Sequence, residues 1–219
     1  MEDVAALSGS ELFSSLPEDA LARVAGRAVP VRLERNNTLF AEGDEASEMY
    51  VVRSGRVGIA KRSPDGRESI VALMEPGDVF GEMPLFDREP RSASARALER
   101  TELVRVPYDV VRAELEAQPG ALWDVVALIA RRLRNADDAI ADAMLLDVTG
   151  RTAKRLLELA GNADEFVLPI TQEELAGLVG ASRERVNKAI AAFVRLGWLE
   201  QSDRHYRICN RERLTQRAR

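Results

Sequence analysis

The chain has 219 residues, of which 46% are hydrophobic and 31% are charged, enough for two modest domains that each have a core. Its only cysteine, Cys209, excludes an internal disulfide and a cysteine-held zinc or iron–sulfur site, and its only histidine, His205, removes most histidine-based metal, haem and triad schemes. No apolar stretch is long enough to cross a membrane and the acidic first ten residues do not resemble a signal peptide, so we expect a cytoplasmic protein with no metal and no membrane partner.

The net charge of −5 is distributed unevenly along the chain. Residues 1–148 carry 18 Lys and Arg against 27 Asp and Glu, a net charge of −9, whereas residues 149–219 carry 13 against 9, a net charge of +4. A basic C-terminal third on an acidic chain indicates an anionic partner for that third. Charge alone is equally compatible with an ordinary solvated surface.

Helical turns are predicted over residues 11–29, and short strands follow. Apolar and polar residues alternate in four runs, at residues 48–52, 56–62, 69–74 and 102–106. The breaks between these runs contain Gly or Pro. One break, Ser-Pro-Asp-Gly at residues 63–66, has Pro and Gly placed for a tight hairpin turn. Short strands at this spacing indicate an antiparallel sandwich or barrel.

Residues 81–95, GEMPLFDREPRSASA, interrupt the strand pattern and contain a candidate ligand site. The opening glycine lets a ligand approach the backbone, and residues 82–86 can form one helical turn whose free N–H groups face an anion. Arg91 adds a positive charge and Ser92 a hydroxyl, which suits a phosphate, whereas Glu82 suits a sugar hydroxyl. A nucleotide carries both a phosphate and a sugar hydroxyl, so it suits all three side chains. Spacing alone favours a surface Glu–Arg ion pair, worth about 0–1 kcal/mol.

From about residue 108 the pattern becomes helical, and Pro119 and Gly120 open a long helix that runs to about residue 146. Its apolar residues follow steps of four and three, the heptad pattern of a coiled coil: Leu122, Val126, Ile129, Leu133, Ala136, Ile140 and Ala143. The alternative is a helix that packs on its own domain. Because the seam persists for about three heptads, we expect a two-stranded coiled coil through residues 122–146 and hence a homodimer.

The C-terminal third begins with a break in this helix. Asp147 is the candidate N-cap of a helix over residues 151–160, and residues 166–170 are predicted to form a short strand. Thr171 and Glu174 have the spacing of a capping box, which predicts the start of a further helix.

Two helices and a hairpin follow the capping box. Gly180 separates the helices, Ser182 caps the second, and residues 198–208 form two short strands around a polar turn. The order of helix, glycine turn, helix and hairpin is that of a winged helix-turn-helix.

The second helix of this motif has an apolar face formed by Val186, Ile190 and Phe193. The charged and polar residues of its first turns lie opposite: Arg183, Glu184, Arg185, Asn187 and Lys188. A recognition helix meets base edges with its first turns, where Arg can bind guanine and Glu can accept from cytosine. An isolated helix with this face would be interpreted as solvated, but the motif around it and the basic charge favour DNA binding.

The cassette at residues 81–95 resembles the phosphate-binding cassette of cyclic-nucleotide-binding domains, because Gly-Glu-x-x-Leu-Phe followed by Pro-Arg-Ser-Ala matches in kind and spacing. The whole chain is similar to the cyclic-AMP receptor protein (CRP/FNR) family of bacterial transcription regulators, and most to its actinobacterial-type members. The likeness extends over four segments: a β-roll at about residues 20–115, the dimer helix at 129–134, the hinge at 145–151 and the DNA-reading motif at 171–190.

The resemblance implies an α+β fold in three parts. These are an antiparallel, jelly-roll-like β-roll over residues 1–118, a dimerisation helix and hinge over residues 119–147, and a winged helix-turn-helix over residues 148–219. It implies a homodimeric regulator, not an enzyme, that binds palindromic double-stranded DNA with TGTGA-like half-sites. A cyclic nucleotide would reorient the DNA-binding domains about the hinge near Asp147, and RNA polymerase would be a further partner.

Site residues are assigned by the same resemblance. Glu82 would hold the ribose 2′-hydroxyl, Arg91 and Ser92 the cyclic phosphate, and Arg132 would reach from the dimer helix toward the pocket. The candidate nucleotide site as a whole comprises Gly81, Glu82, Met83, Arg91, Ser92, Ala93, Arg132, Ala136 and Asp137. The candidate DNA interface comprises Gln172, Glu173, Ser182, Arg183, Glu184, Arg185, Asn187 and Lys188.

Several positions depart from the family pattern. Ala136 and Asp137 stand where cyclic-AMP-responsive members carry Thr followed by Ser or Asn, which contact the adenine. The side chain of Ala136 forms no hydrogen bond, whereas Asp137 can accept from adenine N6 or from guanine N1–H and N2–H, or is simply solvated. Lys188 stands where many members have Arg, which reduces a two-bond guanine contact to one bond. Pro84 replaces a small polar residue and is compatible with a first helical turn.

Three hypotheses remain at this point. The first is a homodimeric regulator gated by a cyclic nucleotide, with cyclic AMP favoured over cyclic GMP. The second is a DNA-binding regulator that does not need cyclic AMP, because its pocket is vestigial or binds another ligand. The third is a nucleotide-binding regulatory module of an enzyme or channel, which the helix-turn-helix disfavours.

Overall fold

A computed structural model describes residues 2–62 and 68–219, so the hairpin turn predicted at residues 63–66 lies outside the described residues. The chain divides into two compact units. The first contains Val71–Leu133 with the chain up to Arg62, and the second contains Arg134–Arg219 with the short segment that ends at Ile70. Among the helices of the described residues, none has both the length and the apolar character that a membrane span needs.

Two four-stranded sheets are formed by strands β1 (Val29–Leu33), β2 (Thr38–Phe40), β3 (Glu48–Ser54), β4 (Val57–Arg62), β5 (Glu68–Met74), β6 (Val79–Phe80), β7 (Ser94–Ala97) and β8 (Thr101–Pro107). One sheet has the order β1-β8-β3-β6, and the other has the order β2-β7-β4-β5. Strand β8 pairs antiparallel with both β1 and β3, and β7 pairs antiparallel with both β2 and β4. The four predicted runs lie in β3, β4, β5 and β8, which confirms the antiparallel architecture.

Side chains of β3 alternate between two apolar cores, as the two-residue period of a strand requires. Tyr50 and Val52 pack in the core shared by the two sheets, together with Val57 of β4. Met49 and Val51 pack in the opposite direction, into a core to which the helices contribute. This alternation places the residues of the first sheet between the second sheet and a helical layer.

The helices of the first unit's chain segment are α1 (Glu2–Ser8), α2 (Glu18–Arg27), α3 (Met83–Asp87), α4 (Tyr108–Ala117) and α5 (Leu122–Leu145), which continues into the second unit. The predicted helical turns over residues 11–29 are confirmed as far as α2. The prediction is wrong at its C-terminal end, because Val29 already belongs to strand β1 and pairs with Arg105 of β8.

Helix α5 follows a 3₁₀ turn at Pro119–Ala121, as Pro119 and Gly120 predicted. Val125 and Leu128 are buried and join the helical core of the first unit. The predicted seam lies on other faces of the helix and is open in the single chain, where the side chains of Leu133 and Ile140 are 62% and 58% exposed.

In the second unit, α5 is followed by α6 (Val148–Ala160), which starts three residues earlier than predicted. Asp147 is its N-cap, as expected, and its carboxylate accepts a hydrogen bond of 2.8 Å from the backbone N–H of Gly150. The predicted helix started at residue 151 because Gly150 was assigned to the break between the helices. In the structure the residues directly after the cap, from Val148, are already helical.

A three-stranded sheet and three helices complete this unit: β9 (Glu165–Val167), α7 (Gln172–Val179), α8 (Arg183–Arg195), β10 (Leu199–Ser202), β11 (His205–Ile208) and α9 (Arg211–Arg217). The sheet order is β10-β11-β9. The capping box of Thr171 and Glu174 and the left-handed turn at Gly180 are confirmed. The short strand is three residues long and ends at Val167, before Pro169. Sequence analysis did not identify α9.

Candidate functional site

The loop between β6 and α3 brings its backbone unusually close to an arginine. Gly81 has φ +73°, and a Cβ atom at this position would lie 2.6 Å from Nη1 of Arg91. Any other residue would therefore be strained by its backbone conformation and would collide with the guanidinium. The glycine predicted to allow close approach of a ligand also allows close approach of this arginine.

Arg91 is buried, and its guanidinium is held from several sides. Nη1 donates to the carbonyl oxygen of Gly81 at 2.7 Å, and Nη2 donates to the carbonyl oxygen of Glu48 at 2.7 Å. Cζ lies 4.1 Å from the ring centroid of Phe40, a cation–π contact. Nε is buried and has no hydrogen-bond partner among the described residues. The guanidinium is therefore held through Nη1 and Nη2, while its Nε donor is unused.

Glu82 precedes α3 and is also buried, with only 2% of its surface exposed. Its Oε1 accepts a hydrogen bond from Nη1 of Arg132 on α5, while Nη2 of Arg132 donates to the carbonyl oxygen of Val79. Its Oε2 is buried and unpartnered within the described part of the chain. Burial raises the pKa of Glu82, and the opposing charge of Arg132 offsets only part of this rise.

Tyr108, at the start of α4, closes the arginine cluster, although sequence analysis did not select it. Its hydroxyl donates to the carbonyl oxygen of Gly81 and accepts from Nη1 of Arg91 at 3.1 Å. Burial raises the pKa of Tyr108 to about 12, so the hydroxyl keeps its proton at neutral pH and can donate. A lone Tyr after a strand carried no motif by which it could have been found.

Three aromatic rings stack beside the guanidinium. The ring centroids of Phe40 and Tyr50 are 5.9 Å apart, and those of Tyr50 and Phe80 are 5.4 Å apart. Such offset pairs add stabilisation beyond their buried area. The rings connect the guanidinium to the core between the sheets and limit its movement.

The remaining cassette residues lie near these groups. Ser92 is exposed, and its Oγ is 3.5 Å from the sulfur of Met83, whereas Ala93 is buried. The backbone N–H of Arg91 donates to the carbonyl oxygen of Asp44 at 2.9 Å, and this bond fixes the segment that carries Ser92. Ala136 and Asp137, the two predicted base-contacting residues, lie on α5 in the second unit and are exposed.

The unused atoms of the cassette define what it can bind. Nε of Arg91 is a cationic donor that suits a phosphate oxygen, and Oε2 of Glu82 is an acceptor that suits a hydroxyl. Buried polar atoms normally have partners, so such atoms in one cassette need an explanation, and a bound ligand supplies one. Throughout the described residues there is no cluster of three or more potential metal ligands. The groups present therefore match a phosphate ester that also carries a free hydroxyl.

The second candidate surface is the first half of α8, which Ser182 caps by accepting from the N–H of Arg185. Val186, Ile190 and Phe193 are buried, as predicted. The predicted contact residues Arg183, Glu184, Arg185 and Lys188 are all exposed.

Two of these exposed residues form an ion pair along the helix. Nζ of Lys188 lies 2.7 Å from Oε1 of Glu184, and the hydrogen bond lowers the pKa of that carboxyl. Asn187 is half-buried, and its Oδ1 is buried and has no partner within the described ranges. At the start of α7, Glu173 is exposed, while Nε2 of Gln172 donates to the Tyr206 hydroxyl at 3.5 Å.

Comparison with known families matches both parts of the chain. A family profile described as "Cyclic nucleotide-binding domain" matches residues 30–118. A second profile, described as "Crp-like helix-turn-helix domain", matches residues 150–217. The first match contains the cassette, and the second contains α7 and α8.

Individual relatives show the same combination over most of their length. The chain is 38% identical to a "CRP-like cAMP-activated global transcriptional regulator" of Mycobacterium tuberculosis, over 100% of both chains. It is 35% identical to the "Cyclic AMP receptor protein" of Thermus thermophilus, over 87% of this chain and 88% of that protein. The solved structure of FixK2 from Bradyrhizobium japonicum superimposes with a TM-score of 0.79 at 25% identity, covering 86% of this chain and 96% of that one.

Proposed function

The chain belongs to the CRP/FNR family of transcription regulators, and from this premise we propose that it is a homodimer whose binding to palindromic DNA is controlled by cyclic AMP. The chain is a cyclic-nucleotide-binding transcription regulator with a helix-turn-helix domain, in a family of regulators rather than enzymes. One observation carries the proposal of a nucleotide effector: the cassette buries one unused donor, Nε of Arg91, and one unused acceptor, Oε2 of Glu82.

In the proposed complex, each unused atom takes one part of the nucleotide. Nε of Arg91 donates to an oxygen of the cyclic phosphate, and the hydroxyl of Ser92 donates to the same group. Oε2 of Glu82 accepts from the ribose 2′-hydroxyl, while its Oε1 stays with Arg132. Gly81 allows the backbone of the loop to approach the ligand. The name of the Mycobacterium tuberculosis relative supports cyclic AMP as the nucleotide.

The choice of base is the least constrained part of the proposal. Ala136 has no side-chain hydrogen bond to offer, and Asp137 is an acceptor when ionised, which suits the N1–H and N2–H donors of guanine as well as the N6 group of adenine. These residues therefore favour a second candidate, a regulator of the same family that responds to cyclic GMP or binds DNA without any nucleotide.

Dimerisation is proposed through the seam on α5, residues 122–146. The seam residues include Leu133 and Ile140, which are more than half exposed in the single chain. A row of large apolar side chains at heptad spacing is stabilised when a second helix covers it. We place the three functional parts at residues 1–118, 119–147 and 148–219.

DNA binding is proposed through the exposed face of α8. Arg183 and Lys188 would bind guanine and Glu184 would accept from cytosine in a TGTGA-like half-site. In a two-fold dimer the two copies of α8 would enter major grooves about 34 Å apart. Contact with RNA polymerase at a promoter is part of the same proposal.

Titration calorimetry with the full chain tests the nucleotide, with cyclic AMP and cyclic GMP as separate ligands. Fluorescence anisotropy with a palindromic duplex, with and without each nucleotide, tests control of DNA binding. Tighter DNA binding with cyclic AMP supports the first candidate, and tighter binding with cyclic GMP alone supports the second. DNA binding that no nucleotide changes removes the gating. The matched variants are Arg91→Gln, which should lose the nucleotide and with it the nucleotide's effect on DNA binding, and Arg183→Ala, which should weaken DNA binding at unchanged nucleotide affinity.

A further inference from the structure

We propose that Tyr108 is a positioning residue of the phosphate subsite, whose hydroxyl orients the guanidinium of Arg91 so that Nε faces the phosphate. The inference deepens the proposed function and rests on it. Tyr108 does not belong to the cassette at residues 81–95, and it reaches the cassette only through the fold, from the first residue of α4.

Gly81, Arg91 and Tyr108 form a closed set of three contacts. The carbonyl oxygen of Gly81 accepts from Nη1 of Arg91 and from the Tyr108 hydroxyl, and that hydroxyl itself accepts from Nη1 at 3.1 Å. The three groups therefore fix each other: without the hydroxyl, Nη1 keeps only the carbonyl, and the carbonyl keeps only Nη1.

The guanidinium of Arg91 is rigid. It is a planar fork, so the directions of Nη1 and Nη2 determine the direction of Nε. Nη2 is held by the carbonyl oxygen of Glu48, and the ring of Phe40 lies against one face of the fork. The Tyr108 hydroxyl is the side-chain group that completes the hold on Nη1. Loss of this hydroxyl allows the guanidinium to rotate, and Nε then no longer points in a fixed direction.

The ring and the hydroxyl of Tyr108 have separate contacts. The ring of Tyr108 is buried in the helical core with Val111 and Leu115, so Tyr108→Phe keeps this apolar contact and removes only the hydroxyl. A hydrogen bond to a charged group contributes enough free energy for about a tenfold change in affinity. We therefore expect the dissociation constant for cyclic AMP to rise roughly tenfold in Tyr108→Phe.

A second measurement reports on the direction of Nε itself. The two phosphorothioate diastereomers of cyclic AMP carry sulfur at one or the other exocyclic phosphate oxygen, and sulfur is the poorer acceptor. A fixed Nε discriminates between them, so their dissociation constants should differ in the parent protein. In Tyr108→Phe the ratio of the two constants should move toward one. A purely structural role would weaken both ligands equally and leave the ratio unchanged.

The controls distinguish the possible failures. Tyr206→Phe removes the hydroxyl of another buried tyrosine, in the second unit, and should leave both constants at the parent values. If the parent binds neither cyclic AMP nor cyclic GMP, the proposed function fails. If the parent discriminates between the diastereomers and Tyr108→Phe keeps both the ratio and the affinity, only the role of Tyr108 is refuted. If the parent binds cyclic GMP alone, the ratio of dissociation constants is measured with the two phosphorothioate diastereomers of cyclic GMP instead.

A second variant covers the case in which Tyr108→Phe does not fold, as judged by its thermal unfolding. Phe40→Leu removes the ring that lies against the guanidinium and leaves the hydroxyl in place. Because the hydroxyl still holds Nη1 in Phe40→Leu, the ratio should stay closer to the parent's value than to one. A ratio of one in a folded Phe40→Leu would mean that the ring rather than the hydroxyl fixes the guanidinium, and the role assigned to Tyr108 would be wrong.

Discussion

Leu133→Asp should convert the proposed dimer into monomers. Leu133 lies in the middle of the α5 seam, and 62% of its surface is exposed in the single chain. Fully burying a Leu side chain contributes about 1.5–3 kcal/mol, so covering this fraction contributes about 1–2 kcal/mol in each subunit. Two-fold symmetry doubles the contribution to about 2–4 kcal/mol. The introduced carboxylate also has to be desolvated in the seam, which adds to the loss.

The dimer dissociation constant should therefore rise at least about 30-fold, because about 1.4 kcal/mol corresponds to a factor of ten. Sedimentation equilibrium over a range of protein concentrations measures this constant directly. Ala127→Asp is the matched control, since it places the same charge on an exposed position of α5 outside the seam. Its effect should stay within about twofold, as for most surface substitutions.

The reasoning is refuted if folded Leu133→Asp sediments with the parent's dissociation constant. In that case another surface would form the dimer, and the exposed seam would need a different explanation. A parent protein that is monomeric at all concentrations would refute the dimer itself. Circular dichroism of both variants establishes that the helix content is kept, so that a change of mass reports association rather than unfolding.

Three further predictions concern other parts of the chain. Arg183→Ala should cost about 1–3 kcal/mol and relax specificity at one guanine, measured by competition with duplexes substituted one base at a time; a uniform loss would mean a phosphate contact only. Thr171→Ala should lower the free energy of unfolding by about 1 kcal/mol in urea titrations because the cap of α7 is lost, whereas Thr171→Ser should not. The pKa of Glu82 is raised in the folded state, so ionisation of this carboxyl as pH rises above its usual pKa of 4.5 destabilises the folded protein. The melting temperature of Glu82→Gln should therefore rise relative to that of the parent between acidic and neutral pH. If the two melting temperatures differ by the same amount at every pH in that range, the raised pKa of Glu82 is wrong.

Local signals in the sequence predicted the elements well. Alternation identified β3, β4, β5 and β8, and the side chains of Asp147, Thr171 and Ser182 cap the helices that they were expected to cap. Each of these signals acts over a few neighbouring residues, which is why a single sequence is enough to detect it. A strand as short as β6, Val79–Phe80, carries too few alternating positions to be found in this way.

The candidate site was predictable only where its residues are neighbours in the chain. Glu82 and Arg91 stand in one short motif, whereas Phe40, Glu48 and Tyr108 come from three other elements that the sheet brings together. Glu48 contributes a backbone carbonyl, for which no side-chain pattern exists. Residues that position a functional group through the fold therefore have to be found from the structure.

The cassette combines two features that oppose each other energetically. Each buried polar atom without a partner costs about 1–3 kcal/mol, a sizeable part of the roughly 5–15 kcal/mol that typically stabilises a domain. Glu82 and Arg91 each bury one such atom, and the apolar cores on both sides of the first sheet offset the cost. A ligand that donates to Oε2 and accepts from Nε removes both penalties at once. Part of the affinity for such a ligand therefore arises from the destabilised site rather than from the strength of the new hydrogen bonds.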